Sequence, residues 1–155
     1  MGKFIELTAG DGHKLAAYVA QPAGKPRGGV VVIPEIFGVN SHIQQVTDGF
    51  AADGYLAVAP AMFDRVQRNY DTGYSQPEIE AGVAIMQKLK PEQSLLDVEA
   101  AVCEAAKGGK VGIVGYCFGG TIAWLAAARA KGLACSVPYY GGGMHGLIKE
   151  QPKIP

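Results

Sequence analysis

The residue best placed to do chemistry is Cys117, which lies in the segment Gly115-Tyr116-Cys117-Phe118-Gly119. The spacing is that of the G-x-S-x-G nucleophile elbow, with cysteine in place of serine. In such an elbow the glycines let a strand and a helix approach closely, and the helix N-terminus favours a thiolate. The motif therefore predicts that Cys117 is a nucleophile, although a cysteine between glycines also fits an inert core residue.

A second candidate, Glu35, follows the apolar run 30–33 in the segment PEIFG. A carboxylate at the end of that strand can hold or receive the proton of the Cys117 thiol. From spacing alone, an ordinary capping or surface role for Glu35 remains equally open. The backbone N–H groups of Ile36 and Phe118 are the expected oxyanion donors, because the fold takes one from the residue after the nucleophile and one from an earlier strand–helix loop.

The elements that must position these residues alternate between short apolar runs and helix-spaced segments. Residues 3–8 and 13–20 predict a β-hairpin across Gly10-Asp11-Gly12, since Asp-Gly supplies the positive φ angles of a tight turn. The run 30–33 predicts a strand buried on both faces. Further strands are expected near 55–59, 111–116 and 134–140, with helices near 43–53, 79–86, 95–105 and 119–131.

This alternation predicts an α/β fold of the three-layer α/β-hydrolase type, with a mostly parallel sheet covered by helices on both faces. Ligands of such sheets bind at the carboxyl ends of the strands, where Glu35 and Cys117 both lie. We expect residues 1–155 to form a single domain, since 155 residues with 48% hydrophobic content suffice for one core but not two.

Composition argues against several function classes. Lys+Arg and Asp+Glu are equal at 14 each, and no basic run is present, so we expect no nucleic-acid partner. No apolar stretch approaches the length of a membrane span, which favours a cytoplasmic protein. The spacing of Cys103, Cys117 and Cys135 fits neither a zinc site nor a redox pair, and Cys103 is expected to be buried on its helix. No cofactor or metal motif is found.

The segments GGVVVIPEIFGVN, VGIVGYCFGGTIAWLAAA and VPYYG closely resemble the dienelactone hydrolase family. The resemblance implies that Cys117 attacks a lactone carbonyl to give an acyl-enzyme, assisted by a His and an Asp, and that Glu35 pairs with the cysteine. Family members grip a substrate carboxylate with arginines, which makes Arg65 and Arg68 candidates, although segment 64–78 departs from the family pattern and favours a solvated surface role. Tyr140 is a further candidate for substrate binding.

The remaining triad partners are not found in the expected order. The fold places an acid and then a histidine after the nucleophile, whereas here His145 precedes Glu150. His145 is therefore interpreted as a loop residue, and His13 and His42 as surface or capping residues. We expect the chain to be the amino-terminal two thirds of a longer enzyme without the last strands of the sheet. The unpaired sheet edge would then favour self-association.

Two functions follow from these residues. The first is a hydrolase that cleaves a small-molecule lactone or carboxylic ester through a Cys117 acyl-enzyme. The alternative is a non-catalytic binding module, or an inactive fragment, that keeps the fold without the acid and histidine. A thiol redox role is disfavoured because no second cysteine lies near Cys117 in sequence. Sequence alone predicts no oligomeric state.

Overall fold

A computed structural model describes residues 1–153, which form a six-stranded sheet flanked by four α-helices. The strands are β1 (Lys3–Thr8), β2 (Lys14–Ala20), β3 (Gly29–Ile33), β4 (Leu56–Pro60), β5 (Val111–Tyr116) and β6 (Leu133–Tyr139). The helices are α1 (Ser41–Ala52), α2 (Gln76–Met86), α3 (Pro91–Ala105) and α4 (Phe118–Arg129). The strand order is β1-β2-β4-β3-β5-β6. Strands β4, β3, β5 and β6 run parallel to one another, whereas β2 pairs antiparallel with both of its neighbours, β1 and β4. The predicted mostly parallel sheet is confirmed.

The amino-terminal hairpin is confirmed, but its turn differs from the prediction. Only Gly12 has a positive φ, +84°, and Asp11 is not in the left-handed region. The Ala9 N–H donates to the His13 carbonyl at 2.8 Å, and the Gly12 N–H donates to the Ala9 carbonyl at 2.9 Å. The loop is therefore longer than a two-residue Asp-Gly turn, and one glycine suffices to reverse the chain.

The core lies on both faces of the central strands. On one face α3 and α4 pack against the sheet, and on the other face α1 does so. Val31, Val32 and Ile33 of β3 are fully buried, which confirms the strand that its continuous apolar run predicted. Because β3 lies between β4 and β5 and under helices from both sides, its carboxyl end is a rigid place to hold a functional residue.

Helical cover is incomplete over β6, as expected for a sheet without its last strands and helices. This strand forms one edge of the described sheet, and its side chains on the α1 side are exposed, Val137 by 43% and Tyr139 by 49%. A groove of about 440 Å³ runs along this uncovered face, between Phe50 of α1 and the side chains of β5 and β6. Apolar surface of this kind is a feature of interaction sites and of unpaired sheet edges.

The prediction that Cys103 is buried is wrong. The buried stripe of α3 runs through Val98, Ala101, Val102 and Ala105, and Cys103 lies off that stripe with its thiol exposed. Cys135, on the uncovered face of β6, is exposed as well. Among residues 1–153, no helix combines the length and hydropathy that a membrane crossing requires.

Candidate active site

The nucleophile elbow forms where its motif predicts it. Cys117 separates the end of β5 from the start of α4, and it adopts φ +54° and ψ −117°. A positive φ is strained for a residue with a side chain, so the surrounding structure must hold it in place. The Cys117 N–H donates to the Tyr139 carbonyl at 3.1 Å, and its carbonyl accepts from the Gly120 N–H at 2.9 Å. These bonds hold the half-buried thiol at the amino end of α4.

Three glycines make the close packing of the elbow possible. A Cβ at Gly115 would overlap the Gly119 carbonyl, and one at Gly119 would overlap the Ile33 carbonyl. A Cβ at Gly120 would overlap the Tyr139 carbonyl of β6. The start of α4 therefore lies directly on the backbone of three neighbouring strands, which brings the Cys117 side chain to the carboxyl edge of the sheet.

Glu35 and Cys117 lie at the same edge of the sheet because of the strand register. β3 and β5 are parallel neighbours, with Ile33 opposite Gly115, and Glu35 and Cys117 each follow two residues later. The Tyr140 hydroxyl donates to Glu35 Oε1 at 3.4 Å. Partial burial and the Glu35 carboxylate raise the pKa of Tyr140 to about 12, and negative charge on the Cys117 sulfur acts in the same direction. The structure thus brings Cys117, Glu35 and Tyr140 into one cluster.

The two expected oxyanion donors directly follow Glu35 and Cys117 in the chain. Phe118 is the first residue of α4, and Ile36 follows Glu35 in the loop after β3. Both side chains are buried in the core, which orients their backbones. Neither N–H donates a hydrogen bond to another group within residues 1–153. An oxyanion hole requires unpaired N–H groups next to the nucleophile, so Ile36 and Phe118 remain the candidates for this role.

The structure places Arg65 outside this cluster. Its Nε and Nη2 donate to the Asp97 carboxylate at 2.7 and 2.8 Å, and its Nη1 donates to Asp11 at 2.8 Å. The Arg65 side chain is only 8% exposed, and its donors are committed to these two carboxylates, which favours a structural role over substrate binding. Arg68 is 55% exposed, lies 3.8 Å from Glu6, and fits the solvated surface role.

Asp97 is the charged residue that sequence reasoning missed. It is fully buried on α3, and burial raises its pKa even though Arg65 opposes the shift. The signal was available, because Asp97 falls on the helical stripe that Ser94, Val98 and Ala101 share. A carboxylate on an apolar stripe predicts a buried cation partner.

The three histidines lie outside the cluster. His145 is exposed in a 3₁₀ segment, Met144–Lys153, rather than in a loop as predicted. His42 is exposed in the first turn of α1, and His13 lies half-buried beside the hairpin loop. Glu150 forms an ion pair with Arg129 at 2.6 Å. The described part of the chain holds no group of three or more His, Cys, Asp or Glu side chains that could bind a metal ion.

Comparison with known proteins gives one consistent family. The sequence profile of the dienelactone hydrolase family matches residues 15–155. A Synechocystis sp. protein is 38% identical over 137 residues, which is 84% of this chain and 55% of the relative. The carboxymethylenebutenolidase of Pseudomonas putida is 33% identical over 155 residues, 97% of this chain and 65% of the relative. A solved Klebsiella pneumoniae structure has a TM-score of 0.74 at 30% identity, over 91% of this chain and 60% of that one. The chain thus spans between half and two thirds of the length of these proteins.

Proposed function

The chain belongs to the dienelactone hydrolase family, and we propose that it cleaves a lactone or carboxylic ester through an acyl-enzyme on Cys117. The observation that carries the proposal is the strained elbow, which holds Cys117 at φ +54° at the edge of the sheet where Glu35 also lies. Strain of this kind is retained where the surrounding structure uses it. The carboxymethylenebutenolidase name of the Pseudomonas putida relative supports a small lactone as substrate.

In the proposed acylation, the Cys117 sulfur attacks the carbonyl carbon and its proton passes to the Glu35 carboxylate. The carbonyl oxygen becomes an oxyanion that accepts hydrogen bonds from the Ile36 and Phe118 N–H groups. When the tetrahedral intermediate collapses, the carbon–oxygen bond of the ester breaks and the leaving oxygen takes the proton from Glu35. The products of this half-reaction are the thioester on Cys117 and an alcohol or enol.

Water must then attack the thioester to release the acid and restore the thiol. The family resemblance implies a His and an Asp that assist catalysis, but His145 and Glu150 occur in the reverse order. We therefore expect this chain to be acylated much faster than it is deacylated, with negligible turnover. A small-molecule substrate, no nucleic-acid partner and a cytoplasmic location complete the proposal. The balance of 14 basic and 14 acidic residues supports the absence of a nucleic-acid partner.

Acylation by p-nitrophenyl acetate tests the proposal. The assay uses a Cys103→Ser/Cys135→Ser background, because both of these thiols are exposed and would react on their own. We expect a rapid release of nitrophenolate equal to the concentration of chain, an acetyl group on Cys117 by peptide mass spectrometry, and loss of both in Cys117→Ala. Rapid turnover that depends on Cys117 would contradict the predicted slow deacylation. No release above the Cys117→Ala background would favour the non-catalytic alternative.

A further inference from the structure

Residues 70–75, called the strap here, run across the loop that carries Ile36. The Thr72 N–H donates to the Phe37 carbonyl at 3.2 Å, and Gly38 and Asp71 form an isolated antiparallel bridge. The ring of Tyr74 packs on the ring of Phe37, with centroids 4.4 Å apart. The strap thus contacts the backbone directly after the proposed oxyanion donor.

Asn40 fastens the other end of the same loop to the strap. Its side chain is 4% exposed, and its Oδ1 accepts from the Ile43 N–H at 3.1 Å, which caps α1. Its Nδ2 donates to the Thr72 carbonyl at 3.3 Å and to the Tyr74 hydroxyl at 3.2 Å. One buried amide therefore joins a helix terminus to the strap, and the loop between β3 and α1 is fixed from both directions.

The strap itself is held by one carboxylate, that of Glu78 in the first turn of α2. Glu78 accepts from the Thr72 hydroxyl and the Gly73 N–H, each at 2.9 Å, and from the Ser75 N–H at 2.8 Å. The Ser75 hydroxyl donates a further bond at 2.5 Å. Four hydrogen bonds to a single side chain hold three residues of the strap in one conformation.

The same helix also supports Ile36 directly. A Cβ at Gly82 would overlap the Ile36 carbonyl, so α2 packs on the backbone of the oxyanion loop one turn after Glu78. An oxyanion donor must lie 2.7–3.1 Å from the developing charge, and a small displacement removes most of its effect. We propose that the strap, through its anchor Glu78, positions the Ile36 N–H for the oxyanion, which makes Glu78 a positioning residue for acylation.

This inference rests on the proposed function, and a pair of reactions at the same sulfur tests it. Acylation by p-nitrophenyl acetate creates an oxyanion, whereas alkylation of Cys117 by iodoacetamide displaces iodide and creates none. In the Cys103→Ser/Cys135→Ser background, we expect Glu78→Gln to slow acylation about tenfold, a fraction of the loss caused by deleting an oxyanion donor. We expect its alkylation rate to stay within about twofold of the parent.

Glu80→Gln is the matched control, because Glu80 lies on the same helix, is exposed, and within residues 1–153 accepts a hydrogen bond only from Gln76, at 3.0 Å. It should change neither rate. Thr72→Val removes one of the four bonds to Glu78 and should slow acylation in the same direction but less, which keeps the test valid if Glu78→Gln unfolds. An unchanged acylation rate in folded Glu78→Gln, or an equal fall of both rates, overturns the inference. No Cys117-dependent acylation in the parent overturns the proposed function itself.

Discussion

Replacing Arg65 by methionine separates a structural role from a substrate-binding role for this arginine. The substitution keeps most of the aliphatic stem and removes the guanidinium, which leaves the Asp97 side chain, 1% exposed, without its cation. Breaking a buried pair by removing one partner costs about 3–5 kcal/mol. Burial already raises the pKa of Asp97, so this carboxyl can take up a proton, and we expect the lower end, about 3 kcal/mol.

For a chain of this size, each 1 kcal/mol lowers Tm by about 2–4 °C, so Tm of Arg65→Met should fall by about 10 °C. Arg68→Met is the control, because an exposed pair contributes about 0–1 kcal/mol. The double variant Arg65→Met/Asp97→Leu should recover most of the loss, since an apolar pair can replace a buried ion pair. Thermal unfolding followed by circular dichroism measures all three. An unchanged Tm in Arg65→Met, with weaker binding of a carboxylate-bearing ester, would refute this reasoning and restore Arg65 as a substrate ligand.

Three further outcomes are expected. Gly120→Ala should abolish acylation and lower Tm, because a Cβ would overlap the β6 backbone, whereas Gly142→Ala, with open space around its Cβ, should change neither. Tyr140→Phe removes the hydrogen bond to Glu35 and should slow acylation about three- to tenfold at neutral pH. At that pH the phenol of the parent is protonated and can donate, because its pKa is about 12. Equal acylation rates in the two proteins would contradict a role for that bond. Hydrogen bonds from the strap, those of Ser75 first, lower the pKa of Glu78 from 4.5 to about 2. The contribution of the Glu78 carboxylate to stability is therefore present above pH 4.5 and lost as pH falls towards 2. The difference in urea midpoint between the parent and Glu78→Gln should therefore shrink over that range, and a constant difference would argue against the shift.

Features encoded by a few consecutive residues were predictable from the sequence. β3 follows from an unbroken β-branched run, and the position of Cys117 follows from glycines whose missing Cβ atoms admit the helix. The hairpin was predictable as well, because a few consecutive residues encode it. Its turn was not, because whether one or two residues adopt positive φ depends on the pairing of Ala9 with His13 across the loop.

Features that depend on side chains distant in sequence were missed. Arg65 meets Asp97 across 32 residues, and nothing near Arg65 distinguishes a paired guanidinium from a solvated one. The sequence of segment 64–78 does not by itself predict the bonds to Glu78 and Asn40 that give the strap its conformation. Cys103 was misplaced because a shift of one position on a helix turns a side chain by about 100°. Whether a side chain at such a position is exposed can be predicted only when the neighbouring helices and strands are known.

The placement of Cys117 and Glu35 after neighbouring strands shows how the strand order adds to what the local sequence predicts. Each residue was expected at the end of a strand, but adjacency follows from the strand order, in which β4 lies on one side of β3 and β5 on the other. The chain passes from β3 to β4 by α1 on one face and returns by α3 on the other, so the direction of strand addition reverses at β3. Ligands of open α/β sheets bind in the crevice at such a reversal. The carboxyl ends of β3 and β5 border this crevice, so the two residues with the clearest chemical signatures lie where the topology places a ligand.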